Sequence, residues 1–203
     1  MENISAILYI NLQRRNDRRE HITKEIAKVC SDETKVYRID AVACEPGALG
    51  CTLSHQKALE FALEHPEWSH VLVLEDDFTF RDDVNVEDNI KRLVTHDASM
   101  DVALFAFGSA LLRPTANDSI FKVESSQTTA GYLVSQTYIP VLLANFAEAS
   151  TDMALNGFRH ASCIDIHWKC LQSVGNWYTM VPSLGYQYDN YSDIEHRHTC
   201  YGC

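Results

Sequence analysis

At 203 residues, 46% of them hydrophobic and 22% charged, the chain has the composition of one globular domain, or of one domain with a small appendage, and not of a disordered or fibrous protein. Seventeen Lys and Arg against 28 Asp and Glu give a formal net charge of −11, which opposes general attraction to a nucleic-acid backbone. An anionic ligand would have to be held by a few placed arginines and a bridging metal ion, local chemistry working against the global field.

In chain order, the apolar run from Ile4 to Ile10 predicts a first strand, a polar arginine-rich turn follows, and a helix is expected from about Asn16 to Cys30. Val36 to Asp40 alternates as a second strand, and Leu49 to Leu63 carries its apolar residues at helical spacing. Val71-Leu72-Val73-Leu74 reads as a strand covered on both faces, ended abruptly by Glu75-Asp76-Asp77. A short helix from Val86 to Val94 precedes an apolar strand from Val102 to Phe107 that stops at Gly108. After a polar loop around Pro114 to Ser119, Tyr132-Leu133-Val134 reads as a strand, and helices are expected from Tyr138 to Ala149 and from Cys163 to Val174. This alternation predicts a three-layer α/β sandwich in which ligands gather at the carboxyl ends of the strands.

The amino terminus has no basic n-region and no stretch reaches the roughly 18 apolar residues that cross a bilayer, so a cytoplasmic chain with no membrane span is expected, peripheral association aside. Seven scattered cysteines read mostly as buried thiols. Cys200-Tyr201-Gly202-Cys203, with Asp193, His196 and His198 nearby, reads as a frayed tail or as a metal site. A single domain over 1–203 is expected, with a flexible tail from about residue 196.

The acidic triplet carries the clearest chemistry. Alternation along an extended chain puts Glu75 and Asp77 on one side, where two carboxylates at a sheet edge suit a hard divalent cation such as Mn²⁺ or Mg²⁺ that can bridge a diphosphate. The other reading is a solvated acidic turn, to which Asp82 and Asp83 would belong.

Four segments together resemble the family 25 glycosyltransferases, which include lipopolysaccharide-modifying enzymes and the collagen galactosyltransferases. Ile10-Asn11-Leu12-Gln13-Arg14-Arg15-Asn16-Asp17-Arg18-Arg19 is similar to the family's INL-x-R-x-x-DRR opening. Gly47 to Leu59, with Gly50-Cys51 and Ser54-His55, resembles its G-x-x-G-C-x-x-SH segment, and Val71 to Asp77 matches its VLEDD strand. A looser fourth match runs through Ala130 to Ser135, Asp165 with Trp168, and Ser192 to Glu195. Gln13 stands where the family often has an acidic residue, and the stretch from Ala149 to Asp165 departs from the pattern.

The resemblance implies a GT-A type, Rossmann-like nucleotide-sugar-binding fold served by Mn²⁺ or Mg²⁺, and inverting transfer of a sugar from a nucleoside-diphosphate donor, UDP-linked, to a hydroxyl of a glycan acceptor. A cytoplasmic acceptor of lipopolysaccharide biosynthesis suits the chain better than collagen. Asn11 and Leu12 would lie beside the base and ribose, and Arg14 and Arg18 would reach the diphosphate or the uracil pocket, a guanidinium pairing well with phosphate. Asp40 reads as a ribose contact or a strand-end cap. Ser54 reads as a donor contact or a helix cap, and His55 as a donor contact or a structural histidine. Glu75 and Asp77 are the metal candidates, with Asp76 a substrate contact beside them. Asp165 is the candidate general base, or else a first-turn acid complementing a helix dipole. Trp168, Trp177, Tyr186 and Tyr188 read as sugar-stacking rings or as core, and Asp193 and Glu195 as weaker acid candidates. A metal-dependent nucleotide or phosphoester hydrolase and a catalytically inactive nucleotide-sugar-binding module remain the alternatives.

Overall fold

The computed structural model describes residues 3–192, 194 and 197–199. Asp193, Glu195, His196 and the Cys200-Tyr201-Gly202-Cys203 pair lie outside them, so the expectations placed on those residues have no structural counterpart.

The first half builds a parallel unit. Strand β1 (Ala6–Asn11) leads through α1 (Asn16–Val29) to β2 (Val36–Asp40), and α2 (Gly47–Leu63) returns the chain to β3 (His70–Glu75). β1 pairs in parallel with β2 on one side and β3 on the other. Its residues divide by the two-residue period of a strand: Ile7 and Tyr9 pack with Ile22 and Ile26 of α1, whereas Ala6, Leu8 and Ile10 pack with Ala58, Leu59 and Ala62 of α2. Helices on both faces explain why β1 and β3 read as continuous apolar runs.

The second half adds β4 (Phe78–Phe80), α3 (Val86–His96), β5 (Val102–Leu104), β6 (Gly108–Pro114), β7 (Ile120–Gln127), β8 (Gly131–Ser135), α4 (Ile139–Asn156), α5 (Ile164–His167), α6 (Lys169–Gln172), β9 (Trp177–Met180), β10 (Gly185–Gln187), β11 (Asn190–Ser192) and β12 (Arg197–Thr199). The main sheet runs β2-β1-β3-β8-β5-β9-β7-β6, with β4–β10 and β11–β12 as two small antiparallel pairs. β8 inserts antiparallel between β3 and β5, and β7 antiparallel between β9 and β6, so six of the eight strands share one direction. The architecture is the predicted three-layer α/β sandwich. Leu93 and Ile90 of α3 join the core on the α1 face, and Leu142, Phe146 and Ala149 of α4 join that on the α2 face.

Three sequence expectations change. Gly108 does not end a strand; it opens β6, which pairs with β7 as a hairpin at the sheet edge. The helix expected over Cys163 to Val174 is two short helices broken at Trp168, whose indole is fully buried edge-on to Trp177 with centroids 5.0 Å apart. Gln172 of α6 is held in the same place by both ends of its amide, accepting from the Ser126 N–H at 2.7 Å and donating to the Ser126 carbonyl at 3.2 Å. Residues Arg197–Thr199, within the expected tail, pair with β11.

Candidate active site

The carboxyl ends of β1, β2 and β3 surround a cavity of about 400 Å³, at the place where the chain crosses from β2 over β1 to β3. The connection leaving β1 runs through α1 on one face of the sheet and that leaving β2 through α2 on the other, which opens a crevice between the loops. Asn11, Leu12, Arg14 and Arg18 come from the first strand and its helix, residues 41–45 from the loop after β2, Cys51, Ser54 and His55 from α2, and Glu75, Asp76 and Asp77 from the end of β3. Gln187, Ser192 and Ile194 close the opposite wall.

Period-two alternation stops at Glu75, because Asp76 and Asp77 lie in the turn between β3 and β4. The consequence is a different grouping of the three carboxylates from the one alternation predicts. Asp76 and Asp77, 7% and 4% exposed, share Arg18, whose Nη1 is 2.9 Å from Asp76 Oδ1 and 2.9 Å from Asp77 Oδ2. Asn11 Nδ2 also donates to Asp76 Oδ2 at 2.7 Å, and Gln187 Nε2 donates to Asp77 Oδ2 at 3.0 Å. Glu75 turns to α2 instead: its Oε1 lies 3.3 Å from His55 Nε2 and accepts from Thr129 Oγ1 at 2.7 Å.

These partners set the charges. Burial pushes Asp77 up to about 7, with the charges of Glu75 and Asp76 adding to it against the pull of Arg18. Burial likewise raises Asp76, despite Arg18 and Asn11. For Glu75 burial is outweighed by the His55 contact, Thr129 and Arg18, and its carboxyl sits below the usual range. The Cys51 thiol is pushed far up by burial and by the neighbouring carboxylates Glu75, Asp165 and Asp77.

Two polar atoms in this wall are buried without a hydrogen-bond partner among the described residues, Arg18 Nε and Asp77 Oδ1. A buried donor and a buried acceptor left open cost about 1–3 kcal/mol each. An anionic oxygen would answer the first and a cation the second. Asp77 Oδ1 is thus a carboxylate oxygen open to a cation, while its Oδ2 is held by Arg18 and Gln187.

The other sequence-named residues fall into place around this centre. Asn11, 1% exposed, ties the end of β1 to Asp76 and to the Arg15 carbonyl, and accepts from Arg38 Nε at 3.2 Å. Ser54 does not cap α2; its hydroxyl donates to the Gly50 carbonyl and accepts from the Val42 N–H at 2.8 Å, clamping the loop after β2 onto the helix. Gly50 is needed at that clamp, since a Cβ there would stand 2.5 Å from the Val42 carbonyl oxygen. Asp40 is exposed, paired with Arg38, and does not line the cavity. Asp165 is half-buried outside the cavity lining, its carboxyl raised by burial and by the charge of Glu75 against a hydrogen bond from the Thr128 backbone. Trp168 and Trp177 are fully buried, Tyr188 packs on His21 with centroids 4.2 Å apart, and Tyr186 is 40% exposed.

Sequence reasoning reaches the carboxyl-terminal wall only through the loose match at Ser192 to Glu195, and does not find its contact with the arginines. Arg18 Nη2 donates to the Tyr191 carbonyl at 2.9 Å, and Arg15 Nη1 to the same oxygen at 3.3 Å, so β11 lies across the arginines. Its recognition element is a backbone carbonyl, which leaves no mark in side-chain composition. Nor does it single out Cys51 from the other cysteines, which read mostly as buried thiols but of which, among those described, Cys30 alone is buried; Cys51, His55 and Glu75 bring one ligand atom each within 4.8 Å of one another.

No family model matches the chain, and no curated protein matches it. Solved structures do, at low identity. The crystal structure of a glycosyltransferase involved in the glycosylation of the major capsid of PBCV-1 aligns with a TM-score of 0.45 and 11% identity over 73% of this chain, which spans 66% of that one. A197 from STIV aligns with a TM-score of 0.52 and 10% identity over 96% of this chain and 93% of that one. Mannose-1-phosphate geranyltransferase from Thermus thermophilus aligns with a TM-score of 0.51 and 11% identity over 88% of this chain and 73% of that one. The last two likenesses establish the fold class, a GT-A-like α/β sandwich. Among the described residues no helix is long and apolar enough to cross a membrane.

Proposed function

We propose that the chain is a metal-dependent, inverting glycosyltransferase that moves a sugar from a nucleoside-diphosphate donor, UDP-linked, to a hydroxyl of a glycan acceptor. The observation that carries this reading is the convergence of Arg18 and Asp77, each with one buried unpartnered polar atom, on a cavity at the carboxyl ends of β1 and β3. That pair is what a diphosphate and its counter-cation require. The family 25 resemblance supplies the reaction class, and a GT-A-like fold agrees with it.

In this reading Asn11 and Leu12 line the base and ribose end, and Arg14 and Arg18 bind the phosphates. Asp77 would hold the divalent cation, which when bound neutralises charge on the departing diphosphate. The Arg18 guanidinium, already fixed by Asp76, needs no reorientation to stabilise the same developing charge. Asp165, raised by burial toward the range where a carboxylate accepts a proton effectively, takes the acceptor hydroxyl proton.

Titration calorimetry with UDP, GDP, UDP-galactose and UDP-glucose, each with and without Mn²⁺, tests the reading. Metal-dependent binding of uridine nucleotides is expected. Absence of binding by every nucleotide, with the acceptor glycan present as well as absent, overturns it, and steady release of nucleotide without any acceptor would point to a hydrolase.

A further inference from the structure

We propose that Cys51, His55 and Glu75 form a second metal site, for a borderline transition-metal ion of the zinc class, distinct from the hard cation assigned to Asp77. The site stands on ligand geometry and does not rest on the transferase reading.

Cys51 and His55 are one helical turn apart on α2 and so project from the same face, toward the end of β3 where Glu75 sits. One ligand atom from each lies within 4.8 Å of the others. Ligand bonds of 2.0–2.3 Å put the edges of a tetrahedral site at about 3.3–3.8 Å. The His55 Nε2 to Glu75 Oε1 separation of 3.3 Å already has that length, leaving a small rotation of the Cys51 side chain to close the triangle.

Donor chemistry selects the ion. A thiolate, an imidazole and a carboxylate together suit Zn²⁺, Co²⁺ or Fe²⁺, whereas Mg²⁺ and Mn²⁺ prefer oxygen ligands throughout. With the thiolate and carboxylate ionised and the imidazole neutral, the three ligands balance the two positive charges of the ion. Two further groups hold the ligands in place. Tyr132 hydroxyl meets His55 Nδ1 at 3.1 Å, and Thr129 hydroxyl meets Glu75 Oε1 at 2.7 Å. When Nδ1–H donates to the Tyr132 oxygen, the Nε2 lone pair is left for an ion, the usual way in which a metal-bound histidine is oriented. All three ligands also line the cavity, so a fourth position opens toward whatever molecule fills it.

The test uses the full chain, stripped with a chelator and titrated with Co²⁺ and then Zn²⁺. One ion per chain is expected, with a thiolate-to-cobalt charge-transfer band that Zn²⁺ displaces. Removing an orienting partner costs about 10–100-fold in metal affinity, so Tyr132→Phe should weaken binding by about 10-fold and Cys51→Ser, which removes a ligand, by on the order of 10²-fold or more, with loss of the band. The double variant Cys200→Ser/Cys203→Ser should bind as the parent does. Asp77→Asn should keep the cobalt band while losing Mn²⁺-dependent nucleotide binding, which separates this site from the donor site. Should Cys51→Ser fail to fold, protection of Cys51 from alkylation by Zn²⁺ in the parent chain, read by peptide mass spectrometry, replaces it. A missing band, a band that survives Cys51→Ser or disappears with Cys200 and Cys203, or unchanged alkylation of Cys51 would each overturn the proposal.

Discussion

Arg18 Nη1 stands 2.9 Å from Asp77 Oδ2, yet the Nε of the arginine and the Oδ1 of the aspartate are both buried with no hydrogen-bond partner among the described residues. The pair is thus half complete: Asp77 shares the Arg18 charge with Asp76, and Arg18 and Asp77 each keep one atom for something else. Asp77→Asn should preserve the fold and abolish Mn²⁺-dependent nucleotide binding, measured by calorimetry. Arg18→Gln should do more damage, costing about 3–5 kcal/mol in denaturant unfolding, because it strands Asp76 and Asp77 in the interior without a cation.

Asp165→Asn should leave donor binding intact and lower transfer by roughly 10²-fold or more, as loss of a general base does. Donor affinity and initial transfer rate, taken on the same preparation, check both halves. Unchanged transfer would remove Asp165 from the mechanism.

Gly50→Ala should weaken nucleotide binding without replacing any ligand-facing side chain. The added Cβ would meet the Val42 carbonyl at 2.5 Å and push the loop after β2 off its Ser54 clamp. Overpacking of this kind costs about 1–3 kcal/mol, which a thermal unfolding curve resolves. Gly157→Ala makes a useful contrast: space around Gly157 is open, and its penalty comes from a φ of +76° alone.

Burial and the hydrogen bond to Asp97, 2.7 Å long, push Tyr178 up to about 12. In the unfolded chain a tyrosine ionises near about 10, so between those values the unfolded state has released a proton that the folded state retains. The contribution is therefore whole below pH about 10 and lost as pH rises toward about 12. Tyr178→Phe should flatten that alkaline decline relative to the parent, measured by urea unfolding across the range.

The parallel half of the fold is legible because burial on both faces writes β1 and β3 as unbroken apolar runs. The edge hairpin is not: β6 is largely exposed and β7 buries Ile120, Val123 and Ser126 at intervals of three, which imitates no strand period. Of the rings that read either as a sugar platform or as core, Trp168 and Trp177 are core. Of the candidate site residues named from the sequence, Asp40 and Asp165 lie outside the cavity lining, and among those that line it the pairing is not legible. Grouping Glu75 with Asp77 follows from alternation, and alternation ends where the strand does, too early for that geometry to hold.

The place of β8 in the sheet has a consequence for synthesis on the ribosome. β3, the strand that carries Glu75, is complete by residue 75, but its neighbour on one side is Gly131–Ser135, which follows only after four further strands and one helix have been made. Until those residues emerge, the first three strands present an unpaired apolar edge, the kind of surface that recruits other chains. The nascent chain is most exposed to aggregation in that interval, and shielding it while residues 76–135 are made should raise the yield of folded protein.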